Sequence, residues 1–135
     1  MKIALEIRKE YGIFESHDTL QQLMNLTNML ILAKEFIQAI EVLSFYETLV
    51  LEHESNNSFD YAICQLEKGI LALSQNDPIH AELHLLEAEQ RIVSIMGTDS
   101  DYSKTTYRYL HSLYSRWHKQ EKALEYQKKL LLGKY

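Results

Sequence analysis

One alanine recurs at a fixed interval along the chain: Ala39, Ala81 and Ala123 stand 42 residues apart each time. Its surroundings recur with it, since Leu43 and Leu85 follow the first two alanines by four positions and Tyr46, Ala88 and Leu130 follow all three by seven. A period of about 20 to 50 residues marks repeat architectures, in which each unit is one supersecondary element that cannot bury its apolar face alone. The fold must therefore stack its units. Four Gly and one Pro leave little turn material for a many-stranded sheet, whereas the abundant Leu, Glu, Lys, Ala and Gln favour helix. The class is all-α. At 135 residues with 46% hydrophobic content, the chain has the size and composition of one compact domain.

Helical spacing and end signals divide the chain into pairs of helices. Lys2 to Tyr11, with Ile3, Ala4 and Ile7 on one stripe, reads as a short helix that Gly12 ends. Asp18 with Gln21 three residues on matches a capping box, and the helix it opens runs to about Ala33 with Leu23, Leu26, Leu30 and Ala33 on one face. Lys34-Glu35 is a tight turn without glycine. Phe36 to about Glu52 follows as the second helix, its apolar surface drawing on Ile40, Leu43 and Leu51. After the polar loop Glu54 to Ser58, a second pair is expected from Phe59 to Ser74 and from Pro78 to Met96, with Asp77 as N-cap and Pro78 at the first helical position. Gly97 stops that helix, and Thr98-Asp-Ser-Asp101 caps the next. The third pair is Tyr102 to Trp117 and Glu121 to Leu132, where Tyr107, Leu110, Tyr114 and Trp117 share a face.

These residues resemble tetratricopeptide repeats, in particular the 42-residue variety of kinesin light chains. Leu110-His-Ser-Leu-Tyr114 through Lys122-Ala-Leu-Glu-Tyr126 is similar to the family's L-G-x-x-Y and K-A-L-x-Y segments. Gly69 fills the small-residue position of the middle repeat, and Ala81 to Ala88, closing on Met96-Gly-Thr-Asp99, is similar to the long second helix of the kinesin-light-chain pattern. The resemblance implies a right-handed α-α superhelix, a solenoid of about three helical hairpins at residues 18–53, 59–96 and 102–132, preceded by an N-terminal helix. Ala4-Leu-Glu-Ile-Arg-Lys-Glu looks like the end of a repeat's second helix, so residues 1–15 are expected to be the remnant of a preceding repeat or a cap. Gln65, Lys68, His111 and Gln127 depart from the family pattern, His111 standing where it has a small residue and the other three where it is apolar.

Function in this family lies in a concave groove lined by the first helix of each repeat, which binds extended or helical peptide segments. Carried over by register, the resemblance assigns Gln21, Met24, Asn28, Ile31 and Leu32 to that groove in the first repeat and Ile63, Leu66, Ile70, Leu73 and Ser74 in the second. The third contributes Thr105, Arg108, Ser112, Ser115 and Arg116. Asn28 stands where the family hydrogen-bonds a peptide backbone. Arg108, Ser112 and Arg116 are four apart and form one inclined row, where two guanidinium forks can hold a carboxylate. The expectation is a protein-interaction scaffold that binds a partner segment, favouring an acidic one. A peptide-sensing module of a larger signalling or transcription-regulating protein is the alternative. Met24, Thr105 and Tyr109 occupy positions where the chaperone-tail members carry their carboxylate clamp, so that activity is not expected.

Charge is lopsided behind a net value of −5: residues 1–103 hold six Lys/Arg against seventeen Asp/Glu, a balance of −11, and residues 104–135 hold eight against two, a balance of +6. Such asymmetry steers charged partners. Nucleic acid is not an expected partner, because only the last third is basic. No apolar run approaches the roughly 20 residues of a membrane span, and the N-terminus has no signal-peptide core. With a lone Cys64 and hence no internal disulfide, a cytoplasmic location is the default. The apolar Leu130-Leu-Leu132 invites self-association through the terminal helices. His80 and His84 are one helical turn apart, but a zinc site needs a third ligand and none is evident, so neither a metal nor a cofactor is expected. With no phosphate-cradling glycine loop or nucleophile elbow either, the chain is not read as an enzyme.

Overall fold

The computed structural model of the chain describes residues 17–54 and 57–132. The short helix expected over residues 1–15 lies outside them. Six α-helices follow one another: α1 His17–Leu32, α2 Phe36–His53, α3 Phe59–Ser74, α4 Pro78–Met96, α5 Asp101–Arg116 and α6 Gln120–Leu132. The described residues are all helix and connector, without a strand. Consecutive helices pack on one another, most extensively within the pairs α1–α2, α3–α4 and α5–α6, which form helical hairpins. In addition, α1 touches α3 and α3 touches α5, so the first helices of the three hairpins lie side by side.

The 42-residue interval has a backbone counterpart. Each hairpin turns through a single non-glycine residue in the left-handed region: Lys34 at φ 61°, Asn76 at 59° and His118 at 59°. At each, the following N–H reaches back five residues to a carbonyl, Glu35 to Leu30 at 2.8 Å, Asp77 to Ala72 at 2.9 Å and Lys119 to Tyr114 at 2.9 Å. This is the Schellman arrangement that satisfies carbonyls left open at a helix end. The turn without glycine thus occurs three times, with the same hydrogen bonds.

Start signals are distributed as the residues suggest. Ser58 Oγ accepts from Tyr61 N–H at 3.1 Å, Asp77 Oδ1 from His80 N–H at 3.2 Å and Ser100 Oγ from Ser103 N–H at 3.1 Å. Pro78 is the first residue of α4, and Gly97 ends that helix at φ 84°. Asp18 lies within α1 rather than ahead of it, because the helix already includes His17.

Ala39, Ala81 and Ala123 each sit three residues after the start of the second helix of a hairpin and are buried. Small side chains there let the paired helices approach. Gly69 carries this furthest: a Cβ on it would stand 2.6 Å from Leu85 Cγ and Cδ2 on α4. Around these contacts run two apolar clusters, one from Leu23, Val42, Tyr46 and Val50, the other from Leu85, Ile92, Leu110 and Tyr114, with Ile63 and Ile70 of α3 touching both. Two residues of α2 differ from expectation. Ile40 and Leu51 are 45% and 48% exposed, because the inward face of that helix is carried by Val42, Phe45, Leu49 and Val50.

The central helix α3 explains its own polar residues. Flanked by α2, α4, α1 and α5, it buries Gln65 and Glu67 as well as its apolar stripe. Gln65 pairs with His84 Nδ1 of α4 at 2.9 Å, and Lys68 Nζ donates to Glu47 Oε2 of α2 at 2.6 Å. The departures from an apolar pattern are cross-helix hydrogen bonds. The last hairpin is tied to α4 in the same manner, Tyr114 Oη donating to Glu82 at 2.8 Å and Tyr126 Oη to Glu89 at 2.7 Å.

Candidate functional site

The side-by-side first helices leave a concave pocket of about 390 Å³ between them. From α1 come Gln21, Met24, Asn28, Ile31 and Leu32, each also expected there from sequence. From α3 come Ile63, Leu66 and Ile70, again as expected. From α5, however, only Thr105 of the expected set reaches it. Met24, Ile31 and Leu66 are simultaneously buried core residues, so the apolar floor of the pocket is the roof of the core.

Arg108, Ser112 and Ser115 are not brought to this pocket. Arg108 and Ser115 are exposed further along α5, and Ser112 is half-buried. Arg116 lines a different depression, between the α3–α4 turn and the end of α5, together with Leu73, Asp77 and Trp117. Arg108 thus lies between the pocket-lining Thr105 and Tyr109 but on an exposed side of α5, and Arg116 lies beyond them.

Several lining residues are not among those that the family register assigns to the groove. Phe59 and Tyr102 form one end of the pocket and meet edge to face, ring centroids 4.8 Å apart. Tyr46 and Asp60 complete that end, the Tyr46 hydroxyl donating to the Asp60 carbonyl at 3.2 Å. Tyr109 stands across from them on α5. Most consequential is Glu67, which lines the pocket while only 5% exposed. With the Asn28 amide oriented so that its nitrogen faces the carboxylate, it donates to Glu67 Oε2 at 2.7 Å and Oε1 at 3.0 Å. Amide orientation follows from the hydrogen-bonding neighbours. A signal for Glu67 was available in the sequence: it falls between Ile63 and Ile70 at i, i+4, i+7 spacing, an acid inserted in an apolar helical stripe.

Electrostatically the pocket is unlike its surroundings. Burial pushes the Glu67 carboxyl up to about 7. The Asn28 amide acts in the opposite sense, because a donor to the ionised form favours it. Burial first, and then the Glu67 charge, also raises the Tyr109 phenol. Such a carboxyl, poised to gain or lose its proton by small changes in surroundings, is a feature of functional clefts.

Other chemistry-bearing groups are accounted for within the fold. Cys64 is buried, and burial pushes its thiol up to about 12, which leaves it an unreactive packing residue. His80 Nδ1 lies 2.6 Å from Asp77 Oδ2, and His84, half-buried, is held by Gln65. Among the described residues, no group of three or more His, Cys, Asp or Glu is placed to hold a metal ion. Nor, among them, is any helix long and apolar enough to cross a membrane. No protein-family model matches the chain, and no curated protein matches it in sequence.

Proposed function

We propose that this chain is a tetratricopeptide-like solenoid, its three hairpins following a right-handed superhelix, and that it serves as a protein-interaction module. In this reading a segment of a partner protein lies along the first helices α1, α3 and α5, and no chemistry is performed on it. One observation carries the proposal: three helices separated in sequence by a constant interval contribute to a single concave pocket with an apolar floor and a few convergent polar groups. That combination is the usual form of a binding site. The constant hairpin turn and the buried alanines at the same interval support the repeat assignment. An acidic stretch of the ligand is assigned to the exposed side of α5 that carries Arg108 and Arg116.

A randomised nine-residue peptide library displayed on phage and selected against the full chain tests the reading. The expected result is one enriched sequence family whose binding is lost when Thr105→Trp fills the pocket from α5. Absence of any enriched family, or a family that binds the Thr105→Trp variant unchanged, overturns it.

A further inference from the structure

The floor of the pocket holds a charge that the resemblance to peptide-binding repeats does not call for. Glu67 is nine-tenths buried and faces the cavity, and among the described residues its assigned donor is one neutral amide, that of Asn28. A carboxylate offers about four acceptor sites, so one amide leaves most of them to water in the pocket. A ligand that closes the pocket removes that water. The bound state must then supply a positive charge or a proton, since an ionised carboxylate is costly to bury unpaired. The surroundings favour the cation. Asp60 lies seven residues before Glu67, two turns up the same face of α3, and adds a second acidic residue to the lining, which among the described residues includes no Lys or Arg. Residues 1–103 as a whole carry a balance of −11, which draws cations toward this part of the molecule.

We infer that the pocket is a receptor for a lysine or arginine side chain of the bound segment, with the cationic head on Glu67 and Asn28. The aliphatic stem of such a residue lies against Met24, Ile31 and Ile70, which suits side chains that bury the stem and pair the head. Asn28 then has a positioning role: its amide holds one edge of the carboxylate and leaves the remaining acceptor sites toward the cavity. The inference rests on the groove reading above and adds the chemistry of its central contact.

The same selection tests both, and their failures differ. The groove reading alone demands an enriched family; this inference demands in addition a fixed Lys or Arg column within it. For a selected peptide, exchanging that residue for Met is expected to weaken binding to the wild-type chain about tenfold or more, the scale of one lost charge-assisted contact. Against Glu67→Gln the same exchange is expected to change affinity less than twofold, because the partner charge is already gone. The Glu67→Gln chain keeps the size of the side chain, and circular dichroism checks that its helix content is unchanged. A family without a basic column, or a Lys→Met effect of equal size on both chains, overturns the inference and leaves the groove reading standing. Absence of any family overturns both. Free n-butylammonium binding as tightly as the lysine peptide shows a small amine, not a protein segment, to be the ligand, and overturns the assignment.

Discussion

Replacing Glu67 by Gln preserves the shape of the pocket floor while removing its charge, and the consequence for stability depends on pH. Burial moves the Glu67 carboxyl from 4.5 to about 7 in the folded chain. Between those values the unfolded chain has released the proton and the folded chain retains it. The stabilisation from neutral Glu67 is therefore complete below the unfolded value and is lost as pH rises through about 7. A displacement of roughly 2.5 pK units at about 1.36 kcal/mol each gives roughly 3 kcal/mol as an upper figure. The Asn28 amide, by stabilising the ionised form, brings this to on the order of 2 kcal/mol. Glutamine does not titrate, so the variant escapes the loss. Urea unfolding of both chains at pH 4.5 and pH 8 should show the advantage of Glu67→Gln over wild type to be larger at pH 8 by about 2–3 kcal/mol, a midpoint difference of roughly 1 M. Comparing the same pair at two pH values cancels the other carboxylates and any cost of the new amide. Asp60, Tyr46 and Tyr109, which share the pocket, are present in both chains. An advantage equal at the two pH values refutes the reasoning, because Glu67 then behaves as a solvated side chain rather than the floor of a partly dry pocket.

Further expectations concern the repeat itself. Gly69→Ala puts a methyl 2.6 Å from Leu85, itself fully buried, so overpacking should outweigh the gain in helix propensity by about 1–2 kcal/mol in urea unfolding. Lys34→Gly and His118→Gly relieve a left-handed backbone position and should each raise the unfolding free energy by about 0.5–1 kcal/mol in urea unfolding, while Asn76→Gly gains less because asparagine tolerates that conformation. Tyr126→Phe removes the hydroxyl that donates to Glu89, and with Lys129 still 3.1 Å from the same carboxylate the cost should be about 1–2 kcal/mol by thermal unfolding.

The two ends of α5 show how far a family register carries. Thr105 reaches the pocket as the register implies, but Arg108 and Ser112, one and two turns on, do not. Thr105 and Tyr109, four residues apart, share the side of α5 that faces the pocket, whereas Arg108, three residues from Thr105, is exposed: a family register does not fix how far round a helix its neighbours reach. The functional emphasis moves accordingly, from a guanidinium row to an apolar pocket with a carboxylate at its floor.

What the sequence determined by itself is what depends on local geometry and repetition. The period of the alanines marked the hairpins, the helical spacing of apolar positions marked the six described helices, and Ser58, Asp77, Pro78 and Gly97 marked ends, because capping and backbone conformation are decided within a few residues. Even the glycine-free turn at Lys34 was legible, although its left-handed residue was not. What only the tertiary structure decided is where charge is buried. Its place in the apolar stripe of α3 sets Glu67 apart from the exposed glutamates at 52 and 121, but a stripe does not say how deeply an acid in it is buried or what it meets. It is buried because four helices surround α3, and it can be tolerated there because Asn28, 39 residues earlier, is brought within hydrogen-bonding distance. Desolvation is a property of the assembled packing, so the group that most sharply defines the candidate site emerges only when the hairpins stack.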